Sequence, residues 1–425
     1  MSRFGAAWRD LRVFSRQFWI LTIAIFTYCA AAALAFPFEG IYLRTHLHTS
    51  MTSIGLVFGL VPLVLMPVQF WAGHLTDRVG RRPLIVLSAF VGVVWFVGFA
   101  YARSVWQVGV LVGVDIAFGW PLFQTASNAM IADLVEPEHR AEAYSVTRVA
   151  MNLGVVLGPA VAGLALSQGV SFFQLFISAA LGCLVFGGLA GLWIRESRPQ
   201  SAVAAERAGD DEGRSGYAIV LADRRFLLFC AVALLPVFVI GNFGSIYSVF
   251  ITDVLGVAYG TWGLLLAMNA LIVAVLQYPL IRATRRADPM LLLAFSSLLL
   301  GIGIGGSALV GPLWPLVMLV AVMSCGEIFL APVAATVVSG MAPEAVRGRY
   351  MGVWTVVWNG GACLGPLAIG IAMDGLGGRG GLAIVLAVGL AGAALFAVLR
   401  HTIGPPARGD QRRTSPVADP EEVVA

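Results

Sequence analysis

The chain has 425 residues, of which 59% are hydrophobic and only 12% carry a charged side chain. Soluble domains carry roughly 25% charged residues, so this chain has too few charges to cover a water-facing surface of its size. All 27 basic residues are arginine, and the net charge of +4 is spread over separate loops, which indicates no nucleic-acid partner. The five cysteines lie inside apolar stretches without CxxC or other metal-ligand spacing, so no metal or other cofactor is expected.

Apolar stretches of about 20 residues recur along the chain, and each is long enough to cross a ~30 Å hydrocarbon core as a helix. The first set lies near residues 18–43, 52–73, 84–102, 106–132, 143–167 and 173–194. The second set lies near residues 226–250, 259–281, 290–309, 313–340, 350–374 and 381–400. The first stretch is too long for a signal peptide and lacks a small-residue cleavage site, so we expect a retained span. The sequence therefore predicts an all-α membrane protein with twelve spans.

The polar residues divide the chain and orient it. The longest polar stretch predicts a cytoplasmic linker, which gives four parts: 1–194, 195–225, 226–400 and a disordered tail, 401–425. With both termini cytoplasmic, three of the 27 arginines fall in outer loops, namely Arg44, Arg103 and Arg379, and the other 24 (27 − 3) lie on or near the cytoplasmic side. This bias predicts a plasma-membrane protein with both termini inside.

An internal repeat relates the two sets of spans. Residues 152–159, NLGVVLGP, match residues 359–366, NGGACLGP, at an offset of 207, and Gly163 and Gly370 keep the same register. Two parallel halves related by an axis along the membrane normal are a known transporter plan, with the substrate site between them near the midplane. The repeat therefore predicts two pseudo-symmetric six-helix bundles.

The loop between predicted spans two and three carries a family motif. Residues 73–83, GHLTDRVGRRP, resemble the signature loop of the major facilitator superfamily, G-x-x-x-D-R-x-G-R-R. The resemblance covers roughly residues 15–400 and implies a secondary transporter working by alternating access. The matching loop of the second half keeps only Arg282, Arg285, Arg286 and Pro289, without the aspartate or the glycines.

The resemblance also implies a cytoplasmic gate. In the antiporters that the chain resembles, the loop's acid faces the start of span eleven, and its arginine pairs with the acid that ends span four. Asp77 would then meet the 347–350 end, and Arg81 or Arg78 would meet Asp133. The gate residues implied in this way are Gly73, Asp77, Arg78, Gly80, Arg81, Arg82, Asp133 and Arg347.

Predicted span five carries Gly154, Gly158, Pro159 and Gly163, which resemble the motif that marks the proton-driven antiporters of this superfamily. Small residues at i and i+4 let helices approach closely, so generic packing is the alternative interpretation. Span eleven carries a similar run. The motif therefore favours export without proving it.

Three carboxylates lie inside predicted spans and are the candidates for proton coupling: Glu39, Asp115 and Glu327. An ionisable group in hydrocarbon costs about 2.5–3.5 kcal/mol on insertion scales, so its presence suggests a function. Glu327 stands near the midplane, and its Gly-Glu setting resembles that of multidrug antiporters in which this acid is linked to proton and substrate coupling. The alternative for Glu327 is a structural hydrogen bond to a neighbouring helix.

The other two acids are open to two interpretations each. Asp115 precedes Gly119 by four residues, where many proton antiporters carry an arginine, so it is either a second protonatable group or the partner of an unseen cation. Glu39 either attracts cationic substrates or lies at the wet outer interface, which we favour. Asp115 points about 180° from Gln124 on an ideal helix, so both face one cavity only if span four is distorted.

In this superfamily spans one, four, seven and ten line the cavity. The cavity candidates are Trp120, Gln124, Asn128, Asn242, Tyr247 and Gln277. No Ser/His/Asp set or nucleotide loop is present in the sequence, so we expect no enzyme and a gradient as the energy source. The sequence favours proton-coupled efflux of lipophilic small molecules by a monomer in the lipid bilayer. The alternatives are a sugar or metabolite importer or facilitator, and a non-transport membrane protein.

Overall fold

The computed structural model describes residues 13–70, 75–76, 78–197, 213–311, 314–343 and 346–402. Within these ranges, eleven helices are long and apolar enough to cross a membrane, and we label them α1 to α11. Their bounds are Arg16–Thr45, Met51–Val68, Arg81–Tyr101, Val105–Leu134, Glu142–Ser167, Phe172–Trp193, Arg224–Val254, Tyr259–Ala283, Pro289–Leu309, Trp314–Met341 and Arg347–Thr402. A further helix, Gly213–Ala222, lies within the predicted linker. The tail from residue 403, the centre of the linker, Gly73 and Asp77 lie outside the described residues.

The last helix, α11, is folded back on itself. Its 56 residues would extend about 84 Å if straight, far more than one ~30 Å crossing requires. Gly377 has a φ of 76°, and this left-handed conformation interrupts the helix. The Phe229 ring of α7 lies 6.0 Å from Trp354 and 6.2 Å from Phe396, although these two residues are 42 positions apart (396 − 354). We therefore describe two antiparallel arms, and the predicted count of twelve spans depends on counting them separately.

Side-chain caps fix where several helices begin. Ser15 Oγ accepts the Phe18 N–H at 3.2 Å at the start of α1. Asp223 Oδ1 accepts the N–H of Arg225 at 3.0 Å at the start of α7. Each cap satisfies a backbone donor that has no partner within its helix. These starts share one end of the bundle, which we call the inner end, following the arginine distribution.

Each half packs its repeated glycine helix in the same way. A Cβ atom added at Gly154 of α5 would lie 2.8 Å from the Ala30 N of α1. In the second half, a Cβ atom added at Gly361 of the first arm of α11 would lie 3.0 Å from Val237 of α7. The equivalent close packing confirms the pseudo-symmetry that the repeat predicts.

The same two helices also join the halves at the outer end. A Cβ atom at Gly163 of α5 would lie 2.6 Å from the Tyr259 carbonyl oxygen of α8. A Cβ atom at Gly370 would lie 3.2 Å from Gly55 Cα of α2. Here only glycine permits the backbones of the two halves to touch.

Polar contacts connect the two halves at the outer end. Arg44 Nε lies 2.9 Å from Asp253 Oδ2, which joins the ends of α1 and α7. The two carboxylate oxygens of Asp374 accept the backbone N–H groups of Met51 and Thr52 at 3.1 and 2.8 Å. We call these contacts the outer latch.

The halves separate toward the inner end. The buried residues of α8 all lie between Gly260 and Asn269, whereas residues 271–283 are partly or fully exposed. Inner-end contacts such as Tyr350 Oη to Asp223 Oδ2, at 2.9 Å, connect elements of the same half. A closed outer end with separated inner ends is typical of an inward-open transporter state.

Candidate functional site

Two connected cavities lie between the halves. The outer chamber has a volume of about 640 Å³, and its lining includes Glu39, Asp115 and the rings of Tyr28, Trp95, Phe96, Trp120 and Phe243. The inner chamber has a volume of about 870 Å³, and its lining includes Tyr144, Gln277, Glu327 and Trp358. The residues that line both chambers are Arg148, Asn152, Val155, Asn269 and Ala270. The three carboxylates singled out in the sequence therefore belong to one continuous site.

Glu39 is fully buried at 0% exposure, so the expectation that it lies at the wet interface is wrong. The Trp95 indole N–H donates to Glu39 Oε1 at 2.7 Å. Glu39 Oε2 is buried without a hydrogen-bond partner among the described residues. The contact with α3 explains the position, because its indole supplies the only donor found for this carboxyl group in the described part. A proton or a cationic group would satisfy the second oxygen.

Asp115 faces the outer chamber because α4 is broken at Gly119, where φ and ψ are −98° and −112°. The carboxylate folds over the break, and Oδ1 accepts the Trp120 N–H at 3.3 Å. A Cβ atom at position 119 would collide with this carboxylate, so the site requires glycine. Asp115 and Trp120 line the same chamber, but Gln124 lines neither chamber, so the break in α4 does not bring Asp115 and Gln124 to one cavity.

Glu327 lies on α10, and a side chain of the neighbouring helix α8 contacts its carboxyl group. Asn269 Nδ2 lies 2.9 Å from Glu327 Oε2 and 3.0 Å from Ser324 Oγ. The hydrogen bond to a neighbouring helix, proposed as the alternative role for Glu327, is therefore present. It does not exclude a proton site, because the same carboxyl group lines the inner chamber.

Asn269 and Arg148 are site residues that sequence reasoning missed. Asn269 precedes Gln277 by eight residues, and Arg148 precedes Asn152 by four, so each pair lies on one helix face. This spacing of polar residues is the sequence signal that could have identified the chamber-facing sides of α8 and α5. Arg148 lies within α5 and contributes the only cation to the chamber linings found in the described residues.

The charges of the chamber linings do not balance. Three carboxylates, Glu39, Asp115 and Glu327, face one arginine, Arg148, so full ionisation leaves a net charge of −2 (1 − 3). Such a charge in a low-dielectric interior is strongly unfavourable unless protons or a cation neutralise it.

Several predicted cavity residues lie elsewhere. Tyr247 is fully buried, and its hydroxyl group bonds Ser307 Oγ at 2.8 Å. Asn242 is also fully buried and donates to its own helix at the Phe238 carbonyl, at 2.8 Å. Gln124 and Asn128 are absent from the linings of both chambers, although Trp120, on the same helix face, lines the outer one. Trp120 and Gln277 do line a chamber.

The signature loop is tied to its own half. Arg81 Nε lies 3.1 Å from Asp133 Oδ2 as an ion pair, which is the predicted contact. Glu196, which sequence reasoning missed, accepts the backbone N–H groups of Arg81 and Arg82 at 3.0 and 3.1 Å. Gly80 has a φ of 105°, so the turn before α3 favours glycine. The predicted partner of Arg347 and its neighbours, Asp77, lies outside the described residues.

The remaining predicted residues lie at helix contacts and ends. Gly158 of α5 approaches Leu34 of α1, with an added Cβ atom 2.9 Å from the Leu34 N. Pro159 lines the outer chamber, and Arg347 is the first residue of α11. Arg78 lies between α2 and α3 and has an interaction partner.

The profile of the Major Facilitator Superfamily matches residues 21–309 and 237–422. The chain belongs to this superfamily. As a major facilitator protein it is a multi-pass membrane transporter and not an enzyme, which confirms both predictions. Two solved structures share its fold: a mutant of the nucleoside transporter NupG (TM-score 0.74, 15% identity, 91% of this chain and 99% of that chain) and the peptide transporter POT in complex with sulfate (TM-score 0.73, 13% identity, 92% and 95%).

Three relatives from this superfamily are about equally distant. The chain is 26% identical to the uncharacterized MFS-type transporter YqjV of Bacillus subtilis (strain 168), over 86% of this chain and 88% of the relative. It is 25% identical to the Na(+), Li(+), K(+)/H(+) antiporter of Planococcus maritimus, over 79% and 84%. It is 26% identical to the multidrug resistance protein MdtH of Cronobacter sakazakii, over 80% and 82%.

Proposed function

We propose that this transporter exports lipophilic small molecules from the cell in exchange for protons. The observation that carries the proposal is the net charge of −2 that full ionisation leaves on the chamber linings. Protons bound to the carboxyl groups and a cationic cargo bound beside them are alternative ways to neutralise that charge. This competition couples the two movements, because an empty and fully ionised chamber is the unfavourable state.

The lining of the outer chamber supports a lipophilic cargo. The rings of Tyr28, Trp95, Trp120 and Phe243 present apolar surface beside Glu39. Aromatic faces bind apolar groups and attract cations. Alkali-metal exchange, as named for the Planococcus relative, is less well supported, since a metal ion requires several converging oxygen ligands.

Export is supported by the glycine motif of α5 and by relatives named for drug resistance and for proton antiport. We further propose that the protein is a monomer in the plasma membrane, with both termini in the cytoplasm. The arginine distribution supports that orientation. Cleavage of a protease site appended to either terminus, in sealed spheroplasts, would contradict it.

A polar metabolite is the second candidate cargo. Three amide side chains, Asn152, Asn269 and Gln277, line the inner chamber and offer the donors and acceptors that such a molecule needs. A panel of toxic lipophilic compounds and of labelled sugars and nucleosides, tested on a host lacking its own efflux pumps, distinguishes the two candidates.

The proton role is tested with Glu327→Gln in everted vesicles that carry a pH gradient. The amide keeps the size of the side chain but cannot release a proton, so we expect gradient-driven transport to be lost with folding intact. Glu136→Gln, in the exposed loop before α5, is the matched control and should behave like the parent. Unchanged gradient-driven transport by Glu327→Gln would contradict the proton role.

A further inference from the structure

A third cavity lies at the inner end of α8. It has a volume of about 610 Å³, and we call it the basic hollow. Its lining consists of Tyr278, Pro279, Arg282, Ala283, Arg285 and Arg286. The hollow adjoins the inner chamber, because Tyr278 lines both. The resemblance to the signature loop gives these arginines no role.

Among the described residues, no carboxylate forms an ion pair with the arginines of the hollow. The acid nearest in sequence, Asp288, already has a partner at each oxygen: Oδ1 accepts the Met290 N–H at 2.9 Å, and Oδ2 lies 2.8 Å from Arg400 Nε. Arg282 has a 3.4 Å contact with the Tyr278 hydroxyl group. The hollow therefore concentrates positive charge around an open volume.

An apolar stripe runs along α8 from the hollow toward the outer end. Leu264, Leu271, Val275 and Tyr278 are 50%, 56%, 58% and 71% exposed. Their spacing of seven, four and three residues, with Arg282 four residues further on, places all of them on one helix face. A charged group bound in the hollow and an apolar chain attached to it would follow a single face of α8.

We propose that the basic hollow binds the phosphate of an anionic phospholipid headgroup, with an acyl chain lying along the stripe. Guanidinium groups match phosphate oxygens in charge and in the geometry of their paired N–H donors. Arginines at the cytoplasmic end of a membrane helix attract such anionic headgroups. A free phosphate ion shares the charge chemistry but uses none of the stripe, so the stripe favours the lipid.

The test is retention of phosphatidylglycerol by the full-length protein, measured by native mass spectrometry after transfer from mixed phosphatidylcholine and phosphatidylglycerol vesicles. We expect Arg285→Gln/Arg286→Gln to weaken phosphatidylglycerol retention at least about tenfold, since charge-assisted hydrogen bonds are lost. The matched control is Arg103→Gln/Arg379→Gln, which removes the same charge from exposed positions at the outer end and should retain the lipid.

Two further measurements distinguish a phospholipid from a free phosphate ion as the source of the phosphate. Leu271→Ser/Val275→Ser should weaken phosphatidylglycerol retention, while inorganic phosphate should compete poorly. Equal retention by the parent and the double arginine variant would overturn the site. Full competition by inorganic phosphate, with no effect of the serine substitutions, would overturn the lipid assignment. Retention does not require transport, so its failure is distinct from failure of the efflux proposal.

Discussion

Asn269 links the two chambers through a single amide group. Its Nδ2 contacts Glu327 Oε2 at 2.9 Å and Ser324 Oγ at 3.0 Å. Asn269→Ala removes a donor to the carboxyl group, worth about 1–3 kcal/mol. We therefore expect gradient-driven transport to fall about tenfold, with the fold intact. The measurement is the initial rate in everted vesicles, and Gln277→Ala, which changes the same chamber without touching Glu327, is the control. Equal rates for Asn269→Ala and the parent would show that this contact is only structural.

The Asp115 carboxylate has two roles: it carries a charge, and it accepts a backbone N–H group at the break in α4. Asp115→Asn keeps an oxygen for the Trp120 N–H and removes the charge, so we expect weaker resistance to cationic compounds and unchanged resistance to neutral ones. Growth inhibition across matched neutral and cationic compounds measures this. If Asp115→Arg behaves like the parent across the same compounds, position 115 is not sensitive to charge.

The three acidic residues could be predicted as functional from the sequence, because a charge in hydrocarbon costs free energy. Glu39, Asp115 and Glu327 stood out because each interrupts an apolar run. Arg148 did not, because it lies only eight residues after Arg140 and resembles an ordinary inner-end charge. Its position inside a chamber depends on how α5 and α8 separate, which is a tertiary property.

The helices could be predicted because the length of an apolar stretch is read directly from the local sequence. The predicted spans 18–43 and 143–167 fall within two residues of the bounds of α1 and α5. The break at Gly119 was not predictable in this way, since it depends on Asp115 capping the second segment. The fold-back at Gly377 lay near the predicted end of span eleven, because a polar, glycine-rich stretch marks the turn.

Different glycines of α5 pack against different halves of the molecule, so substitutions can test the two kinds of contact separately. Gly163→Ala places a methyl group 2.6 Å from the Tyr259 carbonyl oxygen of the other half, so we expect the outer end to be wedged open. Gly154→Ala presses on Ala30 in the same half, so we expect lower thermal stability without a change of state. Gly188→Ala meets no atom within 4 Å and is the control.

Labels at positions 103 and 379 report the distance between the outer ends, and thermal melts report stability. Gly163→Ala should change the distance between the outer ends, and Gly154→Ala should change the thermal stability. A Gly163→Ala variant that loses stability but keeps the parent's outer distance would show that the contact with α8 is not part of the moving interface.

For the whole molecule, alternating access requires contacts that form in one state and break in the other. The outer latch meets that requirement, because both of its contacts cross between halves. The pairing of Arg81 with Asp133 does not, since α3 and α4 belong to one half. A motif in the sequence predicts the inner gate, but the outer latch has no motif, because its partners lie 209 and more than 300 residues apart.

The last prediction concerns the balance of states. Asp374→Ala removes both acceptors for the N–H groups that begin α2, and this carboxylate is a bond between halves only while the outer end is closed. Exposed charged contacts are worth about 0–1 kcal/mol, so we expect the outward-open population to rise by up to about fivefold. Spin-label distances between positions 103 and 379 should lengthen, and those between positions 136 and 286 should shorten. Asp77→Asn, at the inner gate implied by the resemblance, should move both distances in the opposite direction. If Asp374→Ala leaves both distance distributions unchanged, Asp374 merely caps α2, and the Arg44–Asp253 pair and the glycine contacts of α5 and α11 hold the outer end closed.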